Sequence, residues 1–125
     1  MDIYGNLIIE LHKNPLNKRE IPHAHITHSG ANVTCGDRVR IYASVSADGK
    51  TIKDASFEGE GCAISLAAAS MVTENAKGAS LEEIAHWDSA QIFDWLETEL
   101  GPARIKCGLL ALETLQEGIK RKMPK

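Results

Sequence analysis

The chain changes its hydrophobic period once, near Gly61, and that switch limits the folds open to it. Before it, residues 39–45 alternate apolar and polar side chains and read as a half-buried strand. Asp48-Gly49 follows, a strong hairpin signal. Residues 50–57 then read as a second strand, closed by Glu58-Gly59-Glu60-Gly61. After the switch, Ile64, Ala67, Ala68, Met71 and Val72 recur at helical spacing until Lys77-Gly78. Strands followed by helices is an α+β pattern. The economical architecture is a small antiparallel sheet of about three strands with helices packed on one face.

The rest of the chain fits around this centre. Ile3, Tyr4, Leu7, Ile8 and Leu11 mark one face of a helix over residues 2–13, broken by Asn14-Pro15. Residues 24–27 are expected to form a short strand, and residues 32–37 a turn-rich loop. Ser80-Leu81-Glu82-Glu83 has the form of a capping box. Asp88 is placed to cap a helix through Ile92, Trp95 and Leu96. Gly101-Pro102 breaks the chain again, and Ile105, Leu109, Leu112, Leu115 and Ile119 form the stripe of a last helix. With no repeat, linker or low-complexity tract, the 125 residues are expected to form one domain, 1–125.

Three cysteines fall at the transitions between these segments. Cys35 lies in the loop before the hairpin, Cys62 at the mouth of a helix, and Cys107 in the first turn of the last helix. Each stands near glycine or a cation: Cys35-Gly36-Asp37, Gly59-Glu60-Gly61-Cys62 and Lys106-Cys107. On the last helix Cys107 sits about 200° from Ile105, so it is expected to point away from the apolar stripe. Three thiols cannot all pair within one chain, and in a reducing compartment thiols more often serve as ligands or catalysts. A helix N-terminus favours the thiolate that metals and sulfur transfer require. Three thiolates and the Asp37 carboxylate can fill a tetrahedral metal site, or hold an iron–sulfur cluster with one non-sulfur ligand. The alternative, three inert core cysteines, does not account for their placement at element ends.

Composition removes other classes. A net charge of −3 and a pI near 5.9 argue against nucleic-acid binding, and Lys120-Arg121-Lys122 reads as a helix end complementing the dipole. No apolar stretch reaches the roughly 18–20 residues of a membrane span, and no basic-then-apolar leader opens the sequence. A cytoplasmic location without membrane attachment is therefore expected. Ser65 and Ser70 lie in a helix with no base spaced to activate them, and no Walker-type glycine loop is present. His23, His25 and His28 have no fixed spacing to the cysteines and read as polar residues on an exposed strand or loop. Trp87 and Trp95 read as core or interface anchors.

At the cysteine motifs the sequence resembles the U-type iron–sulfur cluster scaffolds: IscU, SufU and the N-terminal domain of NifU. Cys35-Gly36-Asp37 carries the resemblance, with the run from Asp54 through Gly61-Cys62-Ala63-Ile64-Ser65 to Glu83, and Ile105-Lys106-Cys107 followed by Leu110-Ala111. It extends from Asn14-Pro15 to the last helix. The resemblance implies an IscU/SufE-like fold and transient assembly of a [2Fe-2S] cluster. Sulfur would come from a cysteine desulfurase, and the cluster would pass to apo iron–sulfur proteins or carrier proteins. Cys35, Cys62 and Cys107 would be ligands of the cluster or of Zn2+ and possible sulfur acceptors, and Asp37 the family's acid.

The chain departs from both main branches. Lys106 stands where IscU carries histidine, as in SufU, while the step from Cys62 to Cys107 leaves no room for the usual SufU insert. Leu100-Gly101-Pro102-Ala103-Arg104 stands where IscU carries its chaperone-binding Leu-Pro-Pro-Val-Lys and keeps only the leucine, one proline and a basic end, which puts a dedicated chaperone contact in doubt. The rival expectation to a non-enzymatic scaffold is a zinc-dependent sulfurtransferase that takes persulfide sulfur from the desulfurase. Lysine, protonated and without an acceptor, is not expected to ligate the resting site.

Overall fold

The computed structural model describes residues 5–33 and 36–122. Its elements run α1 (Gly5–Lys13), β1 (Ile26–Asn32), β2 (Asp37–Val45), β3 (Ile52–Glu60), α2 (Ala63–Ala76), α3 (Leu81–Ala85), α4 (Ser89–Leu96) and α5 (Ile105–Lys122). The strands form one antiparallel sheet in the order β1-β2-β3. Helices α2 and α5 pack on the sheet and on each other, and α1 lies against α2. The α+β architecture expected from the period switch is the one observed.

The inner face of β2 supplies Val39, Ile41, Ala43 and Val45 to the core. The outer face carries Arg38, Arg40 and Tyr42, opposite Glu60, Glu58 and Ser56 of β3. Tyr42 donates its hydroxyl hydrogen bond to Glu58 at 2.5 Å, and this bond together with burial raises the phenol above its usual pKa. Beyond β3 the chain after α1 adds a bridge, with Phe57 N–H donating to the Asn17 carbonyl. Asn17 also donates its side-chain amide to Thr73 and Glu74 and accepts from Lys77, locking this segment to α2. The Asn17 bond, opposed by desolvation and aided by Lys77, holds Glu74 below the usual carboxylate range.

Helix α2 is buried almost all round, from Ile64 to Ser70 and again at Val72, Thr73 and Ala76. Its alanines let α1, α5 and the sheet approach it closely. The expected one-sided stripe is therefore a central helix, with Met71 half-buried. The strands differ from expectation at their ends. β1 runs to Asn32, beyond the expected 24–27 segment, and β3 runs on through the Glu58–Glu60 stretch. The expected Ile3 and Tyr4 face of α1 lies outside the described residues, while Ile8 and Leu11 are buried as expected.

Both caps expected from the sequence are found, although at Ser80 only the serine half of the expected box is formed among the described residues. The Ser80 hydroxyl accepts from Glu83 N–H at the start of α3. Asp88 and Gln91 form a reciprocal capping box on α4. Trp87 meets Trp95 edge-on, with ring centroids 4.8 Å apart. Replacing Asp88 with alanine removes one half of that box. It is expected to cost about 1 kcal/mol, read as a lower urea midpoint at unchanged slope.

Candidate metal centre

One end of the sheet gathers the chemistry. There β1 turns into β2, β3 ends at Glu60, and α2 and α5 begin. The β1–β2 turn is closed by a bond from Gly36 N–H to the Val33 carbonyl, and Gly36 takes a φ of +74°. Thr34 and Cys35 fall within that turn in sequence and lie outside the described residues.

Asp37 is the first residue of β2 and is fully buried, not a member of an open loop as expected. Its Oδ1 accepts from the Cys62 backbone N–H at 3.0 Å. Its Oδ2 is buried with no hydrogen-bond partner among the described residues. An ionised carboxylate only accepts, so a buried, unpartnered oxygen is a position for a cation or a donor. Gly61 makes this arrangement possible. A Cβ at Gly61 would stand 2.3 Å from Asp37 Oδ1, and its φ of +154° is one that other residues rarely take.

Cys62 is the N-cap of α2, with an extended backbone. It is exposed and makes no side-chain capping bond. Cys107 lies in the first turn of α5 and is buried, 5% exposed. This corrects the expected orientation. The sheet-facing side of α5 is formed by Cys107, Leu110, Ala111, Thr114 and Gly118, whereas Ile105, Leu109 and Ile119 are only half-buried. Both thiols thus stand where a helix N-terminus stabilises negative charge.

The ligand atoms of Asp37, Cys62 and Cys107 all lie within 4.8 Å of one another. Ligands of one tetrahedral zinc lie about 3.5–3.8 Å apart, so small side-chain adjustments bring these three to bonding positions. Among the described residues no other group of histidine, cysteine and acidic side chains has this geometry. His23, His25 and His28 are not part of it. His25 Nδ1 accepts from Val45 N–H, and His28 packs on Gly118. Lys106 is exposed beside the site.

Ser65 reads in sequence as a plain helical serine, whereas in the fold it joins the two thiol-bearing turns. Its Oγ is 3.7 Å from Cys62 Sγ and donates to the Cys107 carbonyl at 3.4 Å. The signal was available, because residues three apart at a helix start share a face. The arrangement offers two cysteine sulfurs and a carboxylate to one cation, with a backbone donor holding the carboxylate in place.

Known proteins resemble this chain in sequence and fold. Residues 3–124 match the family model described as NifU-like N terminal domain. The zinc-dependent sulfurtransferase SufU of Bacillus subtilis is 35% identical over 137 aligned positions, covering 95% of this chain and 90% of that protein. The iron-sulfur cluster assembly scaffold protein IscU of Thermotoga maritima is 31% identical, covering 95% of this chain and 94% of that protein. The crystal structure of a SufU from Fervidobacterium islandicum superposes with a TM-score of 0.80 at 30% identity, over 94% of this chain and 97% of that one. From its family match, its relatives and its architecture together, the chain belongs to the NifU-like N-terminal domain family, in which relatives carry the names IscU and SufU.

Proposed function

We propose that this chain, as a single domain over residues 1–125, is a scaffold on which a [2Fe-2S] cluster is assembled and then given up. Sulfur comes from a cysteine desulfurase, and the cluster passes to apo iron–sulfur proteins or carrier proteins. The cluster is cargo, held by Cys35, Cys62 and Cys107 with Asp37. One observation carries this reading: Asp37, Cys62 and Cys107 converge within 4.8 Å while Asp37 keeps a buried oxygen unpartnered. Cys35, which lies outside the described residues, is included on the Cys35-Gly36-Asp37 motif that carries the family resemblance. A site at one end of the sheet, with Cys62 exposed, suits cargo that must enter and leave. Among the described residues no helix is long and apolar enough to cross a membrane, which is compatible with the cytoplasmic location proposed for it.

A second reading has its own support. The 35% identity is to a zinc-dependent sulfurtransferase, and a buried carboxylate beside thiols fits resident Zn2+ as well as it fits a cluster. On this reading a thiolate of the chain attacks the outer sulfur of the desulfurase persulfide. The S–S bond of that persulfide breaks, the desulfurase thiolate leaves, and the new persulfide is held on this chain. The scaffold reading is preferred because the step from Cys62 to Cys107 leaves no room for the segment that SufU-type proteins usually carry between these cysteines.

Anaerobic reconstitution with iron(II), cysteine, a desulfurase and a thiol reductant, which takes the persulfide sulfur to sulfide, separates the two. The scaffold is expected to develop a [2Fe-2S] absorption spectrum and to transfer that cluster to an apo-ferredoxin. Tight zinc, no cluster and faster desulfurase turnover would instead establish the sulfurtransferase.

A further inference from the structure

Asp37 is not alone in carrying an unpartnered buried atom at this end of the molecule. Asn32 Nδ2 is also buried with no hydrogen-bond partner among the described residues. Asn32 is the last residue of β1 and stands directly opposite Asp37 in the ladder. Both side chains are on the helix-covered face. Along β1 that face is made by Ile26, His28, Gly30 and Asn32, as the burial alternation shows.

The packing of α5 fixes what lies above Asn32. A Cβ at Gly118 would meet Ile26 and His28, and one at Gly30 would meet Thr114 and Leu110. Helix and strand therefore run side by side in opposite directions. Two strand residues advance about 6.6 Å, the length of four to five helical residues. The next inward step of β1, Asn32, is thus level with the first turn of α5, where Cys107 stands.

The two orphaned atoms differ in kind. Asp37 Oδ2 accepts, and Asn32 Nδ2 donates two hydrogens. Opposed residues of a ladder have Cβ atoms about 4.5–5.5 Å apart, within reach of a direct amide–carboxylate bond. No such bond forms. A buried donor and a buried acceptor left open side by side are both costly unless one guest satisfies them together. A metal bound to sulfur does so, because the cation takes the carboxylate oxygen and the electron-rich sulfur takes the amide N–H.

We propose that Asn32 is a positioning residue of this site, whose Nδ2–H donates a hydrogen bond to a sulfur anion held among Asp37, Cys62 and Cys107. The sulfur is either a metal-bound thiolate of the chain or the sulfide of the cargo. The inference rests on the metal-site reading above. Hydrogen bonds to sulfur draw charge from it, and so set both the strength of the metal–sulfur bond and the reduction potential of a cluster.

The test uses the full chain and two variants. Asn32→Leu keeps the size and removes both donors, and Asn32→Asp replaces the donor with an acceptor. Each is loaded with cobalt(II) alone, and separately with iron and sulfide. If the partner is a thiolate, Asn32→Leu is expected to move the sulfur-to-cobalt charge-transfer band to lower energy and to weaken cobalt binding about 10–100-fold. If it is cargo sulfide, the cobalt spectrum stays and the cluster's reduction potential becomes more negative. A variant that only loosened the fold would change its metal-free melting and leave the band energy and potential in place. Should leucine prevent folding, Asn32→Ala takes its place in both arms.

Unchanged spectra and potential in both arms overturn the proposal. So does an Asn32→Asp protein with the parent's cobalt band energy and cluster potential, since a carboxylate cannot donate the bond. If the parent chain itself takes up neither cobalt nor cluster, the metal-site reading fails first and this inference falls with it.

Discussion

Asp37→Ala is expected to leave the metal-free protein almost as stable as the parent while removing most of the stability that a bound metal confers. The residue is fully buried, so the first half of this expectation needs an argument. Alanine loses the bond from Cys62 N–H, a term of about 1 kcal/mol, but Cys62 is exposed and water can replace the acceptor. Alanine also removes a buried carboxylate oxygen that has no partner among the described residues, which offsets that loss. The net change in the metal-free state is therefore within about 1 kcal/mol. Metal binding behaves differently. Loss of a ligand weakens affinity by more than the roughly 10–100-fold that follows from losing a hydrogen-bond partner behind one. At a zinc concentration giving the parent about 4 kcal/mol of stabilisation, a hundredfold weaker site gives about 1.4 kcal/mol. Thermal melts with and without zinc measure both quantities.

On the scaffold reading the same variant has a second readout. A carboxylate is a harder and more exchangeable ligand than thiolate, so it is the natural point of release. The cluster on Asp37→Ala is expected to live longer and to transfer more slowly. On the sulfurtransferase reading, zinc affinity and sulfur transfer fall together. Unchanged zinc affinity, cluster lifetime and sulfur transfer would remove Asp37 from the site.

Gly61→Ala is expected to have the largest effect on the fold itself, about 2–4 kcal/mol. Holding alanine at a φ of +154° costs about 1–3 kcal/mol. The new Cβ would also stand 2.3 Å from Asp37 Oδ1 and 2.9 Å from its Cγ, so Asp37 must move and its bond to Cys62 N–H breaks. That adds about 1 kcal/mol. Because the displaced group is the carboxylate of the site, zinc affinity is expected to fall as well. Gly101→Ala is the control, since nothing lies within 4 Å of a Cβ there. Denaturant melts of the two should separate clearly, and a Gly61→Ala midpoint equal to that of Gly101→Ala would refute the account.

Much of the fold was legible because local rules decide it. The 39–45 alternation, Asp48-Gly49, Ser80 and Asp88 act through neighbours only a few residues away, and each gave the element or cap it signalled. Strand β1 was less legible. The run His28-Ser29-Gly30-Ala31-Asn32 has no β-branched or bulky apolar residue. Its inner face is instead filled by α5, which approaches so closely that Gly30 meets Thr114 and His28 meets Gly118. That complementarity joins residues far apart in sequence and leaves no periodic trace in the strand. The orientation of Cys107 departs from the sequence expectation for a related reason. A one-stripe helix rule assumes one buried face, but α5 lies against both the sheet and α2, which widens its buried side to include Cys107 and Leu110.

The sequence by itself determined which atoms are available for chemistry and that they sit at element ends: the three cysteines, Asp37, and the glycines that let the chain bend beside them. Residue identity fixes donor chemistry, and local propensity fixes where helices and strands stop. The tertiary structure decided which of those ends meet. It brought Asp37, Cys62 and Cys107 within 4.8 Å, buried the carboxylate, and placed Ser65 and Asn32 around them. Those relations depend on how β1 pairs with β2 and how α2 and α5 seat on the sheet. They are set by the burial of side chains distant in sequence, which no local pattern encodes.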